Sequence, residues 1–332
     1  MNRSADHQTL LFHQSQFPDA VRNSLHRSFQ SRQMHHKFHY DSYKQTQKWL
    51  AVHQAYSPSR TDLDCLRIYE QAFAETSSRS SESPHLISLG CGGGKKDALF
   101  LKQLIAQGLT PIYTASDVSP AMVLTAIGEV SQSLQRHDSL GKVCDLAARP
   151  HPTFFETGAP FNGPSIYSFL GMIPNFEPQE VLPYLAQLLR PQDLLVFSAN
   201  LAPGNDYRQG TQKILPLYNN LETKEWLQTI LFDFGCDHTT GELTIEVEET
   251  PSGLLRINAT YRFKEDFIFH LDDQKYPFTR GETFRLFFSY RYTDALIEKE
   301  LAKYYLNIQS RWITNSKEEA VYLVSKSHQL TK

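Results

Sequence analysis

With 332 residues, 40% of them hydrophobic and 21% charged, the chain has room for one large domain or two coupled ones and is too apolar to be disordered throughout. Its 33 Lys and Arg nearly balance 36 Asp and Glu, a net charge of −3 that argues against a protein whose main work is gripping a phosphate backbone. No apolar run approaches the roughly 18 residues of a membrane span, no secretory leader is read at the N-terminus, and Cys65, Cys91, Cys144 and Cys236 lie too far apart for a zinc or disulfide framework. The expectation is a cytoplasmic protein, a monomer or weak homodimer, without nucleic-acid or membrane partners.

Residues 1–30 are polar and weakly periodic and read as a mobile or surface-wrapping arm. Residues 31–76 form a helical segment. Trp49, Leu50 and Val52 give one apolar patch, Leu63, Leu66, Tyr69 and Phe73 another at helical spacing, and Ser57-Pro58-Ser59 separates them, with Ser59 or Thr61 as the next cap. After a Ser-rich loop the rhythm changes. His85–Leu89 is a short apolar run followed by glycines and a helix over 98–105. Pro111–Ala115 is a second strand ending at Asp117, and a helix follows over 120–134. Further strands are expected at 141–146, 165–170 and 193–198, with a helix over 179–189. Strands alternating with helices over residues 84–240 predict a parallel sheet covered on both faces. From residue 241 to about 328 the chain is β-rich: 242–249, 255–263, 267–271 and 283–292 alternate strongly, 294–304 reads as a helix and 320–324 as a last strand. The fold class is α/β, a Rossmann-like sheet with a β-rich second domain and an N-terminal helical segment.

The clearest chemical signal is Ser88-Leu89-Gly90-Cys91-Gly92-Gly93-Gly94-Lys95-Lys96, which follows a strand and opens a helix. A phosphate-binding GxxxxGK[ST] fails here, with Leu89 at its first glycine and Lys96 at its hydroxyl. The dinucleotide GxGxxG fails at Lys95. A GxGxG pattern fits at Gly90, Gly92 and Gly94, as in the first motif of class I S-adenosylmethionine methyltransferases. Asp117, ending the next strand, is placed to accept hydrogen bonds from two ribose hydroxyls. Asp145, after a third strand, is a candidate for the adenine amino group or a simple turn residue.

Several separated segments then agree. Phe38-His39-Tyr40-Asp41, Tyr56-Ser57-Pro58-Ser59-Arg60, the glycine turn, Ser116–Pro120, Phe169–Pro178, Tyr218-Asn219-Asn220, and Arg280-Gly281-Glu282 through Ser289-Tyr290-Arg291-Tyr292 stand in one order. In that order the chain resembles the histidine-specific S-adenosylmethionine methyltransferases of ergothioneine biosynthesis. The resemblance implies that Lys96 helps hold the cofactor beside Gly90 and Asp117. It also implies that Asn175 and Tyr218 hold the amino-acid head, that Tyr56 closes the pocket, that Gly171 lines it and that Ser289 faces the substrate side chain.

The chain departs from the family's pattern at three places. Phe287 stands where the family has an acid for the imidazole ring, the loop from Gly171 to Asn175 is one residue shorter and carries Pro174, and Asn219 replaces an aspartate. Strand alternation puts Phe287, Ser289 and Arg291 on one face, so Phe287 shares whatever pocket Ser289 faces, and Arg291 could anchor an acidic group. No carboxylate or cysteine stands at a metal-ligand spacing from His35, His36 and His39, which read as a solvated helix end. The expected function is methyl transfer from S-adenosylmethionine to the amine of an amino acid or related small amine other than histidine. A cofactor-binding homologue without transfer activity and, less favoured because of Lys95, a nicotinamide oxidoreductase are the alternatives.

Overall fold

The computed structural model describes residues 9–57, 62–80, 82–134, 139–157 and 161–327. In chain order its elements begin with β1 (Leu10–Phe12), α1 (Pro18–Ser31), α2 (Tyr43–Tyr56) and α3 (Leu63–Ser78). The alternating part follows: β2 (His85–Leu89), α4 (Lys95–Ala106), β3 (Ile112–Asp117), α5 (Pro120–Ser133), β4 (Ser139–Val143), β5 (Ser165–Phe169), α6 (Pro178–Leu188) and β6 (Leu194–Asn200). Next come α7 (Tyr207–Ile214), α8 (Leu221–Asp233), β7 (Gly241–Glu249), β8 (Leu255–Phe263), β9 (Phe267–Leu271), β10 (Gln274–Phe278) and β11 (Thr283–Arg291). The chain closes with α9 (Asp294–Ala302), β12 (Leu306–Ile313) and β13 (Glu319–Lys326).

The main sheet has eight strands in the order β1-β4-β3-β2-β5-β6-β13-β12. β1 to β6 run parallel, and β13 and β12 are added antiparallel. From β2 the chain winds outward to β3 and β4, then returns to the other side of β2 for β5 and β6. That reversal makes a crevice at the carboxyl ends of β2 and β5, the place where open α/β sheets bind ligands. The strands there are short and wholly buried, as a sheet covered on both faces requires.

Above the carboxyl ends lies the β-rich layer, a three-stranded sheet in the order β11-β8-β7 with the hairpin β9-β10. Its core is aromatic: Phe269 stacks on Phe29 at 4.7 Å and Phe278 stacks on Phe284 at 5.4 Å. β11 carries a bulge at Leu286, between the pairs Arg285–Thr260 and Phe287–Ala259. The carbonyl oxygen of Leu286 accepts from His39 Nε2 at 2.7 Å, which satisfies a backbone group near the bulge. After the bulge the alternation resumes, so Phe287, Ser289 and Arg291 share the face that the sequence assigns them.

Two parts of the sequence reading need correction, and a third is not tested. Residues within the N-terminal arm fold: β1 pairs with the edge of the main sheet at β4, and α1 is a helix whose Val21, Leu25 and Phe29 form an apolar stripe against the β-rich layer. Buried Ser24 and Ser28 turn their hydroxyls onto carbonyls one turn back, so this stripe survives in a polar sequence. The C-terminal strands β12 and β13 belong to the main sheet, so the β-rich layer ends near residue 292 and not at 328. β13 is buried from Glu319 to Val324 because it lies inside the sheet between β6 and β12. The helix break at Pro58 and the caps proposed at Ser59 and Thr61 lie outside the described residues; α3 is capped by Asp62, whose side chain accepts from Asp64 N at 2.8 Å.

Candidate active site

The crevice begins with the turn after β2. Gly90 and Gly94 take φ of +82° and +74°, conformations that cost little only for glycine. A Cβ on Gly94 would fall 2.5 Å from Ala126 Cα, so the bare glycine also lets α4 start against α5. The backbone N–H groups of Gly90 and Cys91 both donate to Ser116 O at 2.9 Å, which ties the turn to the end of β3. Asp117 completes the tie: it accepts from Gly92 N at 3.2 Å and from Ser119 N at 3.0 Å. Burial pushes its carboxyl up to about 6 against these bonds, which favour the charged form.

That shift gives a pH prediction. The folded-state pKa lies above the ordinary aspartate value, so the stability Asp117 contributes is present at acid pH and lost as pH rises through about 6. Hydroxyl donors of a ligand act the other way, because they bind the charged carboxylate. Affinity for S-adenosylhomocysteine should therefore be flat above pH 6 and fall below it, by up to about tenfold per pH unit for one proton. Calorimetric titration between pH 5 and 8 reads this directly, and an affinity unchanged down to pH 5 would refute it.

Beyond the turn, the Lys96 ammonium lies 3.8 Å from the centre of the Tyr69 ring and 3.9 Å from Glu319 Oε1. Glu319 also accepts from the Tyr69 hydroxyl and, at 3.1 Å, from Cys65 Sγ. Ser198 joins the set: its Oγ lies 2.9 Å from the Tyr69 hydroxyl, whose own proton goes to Glu319, and Gly171 N donates to it at 2.7 Å. A basic and an acidic group thus stand together at one end of the crevice. A molecule with a vicinal diol and a zwitterionic amino-acid end finds Asp117 in one part of the crevice and this pair in another.

Asp145 caps a short turn, its Oδ1 accepting from Ala147 N at 2.9 Å. The histidine cluster lies against it, with His35 Nε2 at 3.5 Å and His36 Nε2 at 3.8 Å from its oxygens. The expected solvated helix end is therefore corrected. His39 is buried, and burial pushes His36 down to about 3 and His39 down to about 4, so both rings are neutral at pH 7. Among the described residues no cluster of His, Cys, Asp and Glu could hold a metal ion.

At the other end stand the groups expected to meet the methyl acceptor. Asn175 ends a single 3-10 turn, Ile173–Asn175, in which Pro174 stands near the start where a missing N–H costs nothing. The shortened loop therefore still carries Asn175 into the crevice. Its Nδ2 donates to Phe288 O at 2.8 Å, which leaves Oδ1 as an acceptor. The Tyr218 hydroxyl is 2.9 Å from Ser289 Oγ and accepts from Arg291 at 2.7 Å. Phe287, 7% exposed, sits among aromatic rings, with Trp226 at 5.6 Å and Tyr218 at 6.5 Å between ring centres. Glu282 does not take the place of the missing carboxylate: it is bound to Arg32 at 2.7 Å and does not line the crevice. From above, α2 covers the crevice with Trp49, Val52 and Tyr56, and the Tyr56 hydroxyl donates to Glu222 Oε2 of α8 at 2.7 Å.

The crevice holds a cavity of about 500 Å³. It contains every site residue named from the sequence: Gly90, Gly92, Gly94, Lys96, Asp117 and Asp145 toward the sheet, and Tyr56, Gly171, Asn175, Tyr218, Phe287 and Ser289 toward the β-rich layer. The volume suits a cofactor together with a small substrate. Asp97, Tyr69, Glu319 and Trp226 also line it and were not anticipated. Asp97 had a local signal, standing in the first turn after the glycines, whereas the others arrive from distant parts of the chain.

The profile of the family described as histidine-specific methyltransferase, SAM-dependent, matches residues 17–326. No curated protein matches the chain. Among solved structures, an S-adenosylmethionine-dependent methyltransferase from Clostridium acetobutylicum is similar at 14% identity and a TM-score of 0.44, over 85% of this chain and 99% of that one. Magnesium protoporphyrin IX methyltransferase from Synechocystis, solved with bound SAH, is similar at 14% identity and a TM-score of 0.46, over 88% and 98%. A family match over residues 17–326 takes in both the glycine turn and the strand that carries Phe287, and the chain accordingly belongs to the histidine-specific, S-adenosylmethionine-dependent methyltransferases, with S-adenosylmethionine as its cofactor.

Proposed function

We propose that the protein methylates the amine of an amino acid or related small amine whose side chain is larger or more apolar than that of histidine, of tryptophan or tyrosine type. The observation that carries this reading is Phe287, a phenyl ring lining the cavity beside Tyr218 and Trp226, where recognition of an imidazole would need an acceptor. Asp117 would take the ribose hydroxyls of the cofactor, Lys96 its carboxylate end, and Asp145 its adenine side. S-adenosylmethionine supplies a methyl group on a positively charged sulfur, and transfer requires an acceptor nitrogen with a free lone pair. Asn175 suits that requirement. Its Oδ1 can hold an amine N–H without adding the negative charge that would stabilise an ammonium. Tyr218 would fix the other side of the head group. The protein's contribution is then mainly positioning, worth up to roughly 7–11 kcal/mol in favourable cases.

A product-mass screen over the amino acids tests the reading. Free histidine should be methylated roughly 5- to 150-fold less efficiently in kcat/KM than the best aromatic acceptor, because a buried imidazole N–H without a partner costs about 1–3 kcal/mol. Efficient trimethylation of histidine by the purified protein would overturn it.

A further inference from the structure

Met172 rests on the first glycine of the cofactor turn. A Cβ placed on Gly90 would fall 2.5 Å from Met172 Sδ, 2.7 Å from its Cε and 2.9 Å from its Cγ, and these are the nearest atoms from outside the turn. The residue is half-buried, lines the cavity and packs against the hydrophobic core. Its backbone is pinned on both sides. Gly171 N donates to Ser198 Oγ at 2.7 Å, and Met172 O accepts from Asn175 N at 3.0 Å. Ile173 and Pro174, which follow it, are buried. The side chain thus stands between Gly90, the Ser198–Tyr69–Glu319 set beside Lys96, and the turn that carries Asn175. This placement singles out one atom of the cofactor. Asp117 suits the ribose and the Lys96–Glu319 pair the amino-acid end, and the sulfur is the atom that joins those two parts. Gly90 stands between them as well: its N–H is tied to Ser116 O, next to Asp117, and its bare face meets Met172, next to Gly171.

We propose that Met172 forms the wall around the alkyl group on the cofactor's sulfur, so that the site takes a methyl sulfonium and rejects a donor with a larger alkyl group. The sulfur passes beside Gly90, and its alkyl group is directed toward the acceptor at Asn175, which brings that group along the Met172 side chain. A thioether suits this wall, because it is apolar and polarizable and brings no charge to the sulfonium. One further methylene has to displace the side chain. Methionine adapts readily where its neighbours are loose. Here its end lies against the backbone of the turn, and its own backbone is held on both sides. Forcing an extra methylene into a packed corner is unfavourable, and a pocket that reads one methylene discriminates by roughly 10- to 200-fold. The inference concerns the donor. It rests on S-adenosylmethionine as the cofactor and holds whichever amine is methylated.

The test is binding to the full chain without an acceptor, so it reads no turnover. Calorimetric titration compares S-adenosylmethionine with S-adenosylethionine, which carries one more methylene on the sulfur. S-adenosylhomocysteine, which carries no alkyl group there, is the reference. The parent should bind the methyl form at least about tenfold more tightly than the ethyl form. Met172→Ala removes the three atoms that lie on Gly90. In that variant the two forms should bind within about threefold of each other, while S-adenosylhomocysteine still binds. Met172→Leu, close to methionine in volume, should keep the parent's preference. If Met172→Ala no longer binds S-adenosylhomocysteine, Met172→Val, which is also shorter than methionine, takes its place with the same expectation. Equal affinity for the two sulfonium forms in the parent would overturn the inference. So would the parent's full preference retained in the shortened variant.

Discussion

Asp117→Ala is expected to weaken S-adenosylhomocysteine binding by about 100-fold or more while the protein remains folded. Two hydrogen bonds from ribose hydroxyls to a charged acceptor contribute about 1.5–3 kcal/mol each, and alanine removes both. Stability should change far less, because two effects oppose one another. The variant frees Gly92 N and Ser119 N, which lose their acceptor at the rim of the cavity. It also removes a carboxylate whose burial already works against its charge, as the rise to about 6 shows. Calorimetric titration gives the affinity and a thermal melt gives the stability. An affinity within two- or threefold of the parent would mean that the ribose is held elsewhere. Asp117→Asn sharpens the test, since the amide keeps one acceptor and loses the charge. Its affinity should fall less and its decline below pH 6 should flatten.

The cofactor half of this site was legible because its signals are local. A strand, three glycines, a helix start and the acid ending the next strand fall within 33 residues of chain, from His85 to Asp117, and each residue is fixed by its immediate neighbours. The face of β11 was legible for a similar reason, since a period of two survives any tertiary arrangement, and the bulge at Leu286 precedes the residues that matter. What covers the cavity was not legible. Trp49 and Val52 of α2 read as an ordinary apolar stripe, and nothing in a stripe says whether it meets a core or a ligand. Glu319 meets Tyr69 across 250 residues of sequence and stands at the start of a strand whose sheet could not be inferred from its composition. The histidines were misread in the same way. Their polarity suggested solvent, but Asp145 is the partner of half-buried His35 and His36, and the carbonyl of Leu286 that of buried His39.

Asn175→Ala should lower turnover by about 100-fold or more with cofactor affinity changed less than threefold. The expectation follows from how the side chain is held. Its Nδ2 is fixed by Phe288 O, a backbone group of the strand that also carries Phe287 and Ser289, so Oδ1 is oriented by the wall that receives the acceptor. Displacing a nucleophile by about 1 Å from its line of attack costs on the order of 100-fold, and alanine removes the Oδ1 that would orient the amine by accepting from it. The folded state loses one hydrogen bond, about 1 kcal/mol, which a thermal melt would register as a small shift. Asn175→Asp separates orientation from mere presence. A carboxylate cannot donate to Phe288 O, so the side chain would turn, and its charge would favour the protonated, unreactive ammonium. Asp should therefore be as damaging as Ala at neutral pH, and its activity should recover partly as pH rises and the amine loses its proton. Near-parental turnover in Asn175→Ala would show that the amine is placed by other groups, and Asn175 would then be a structural clasp between its own turn and β11.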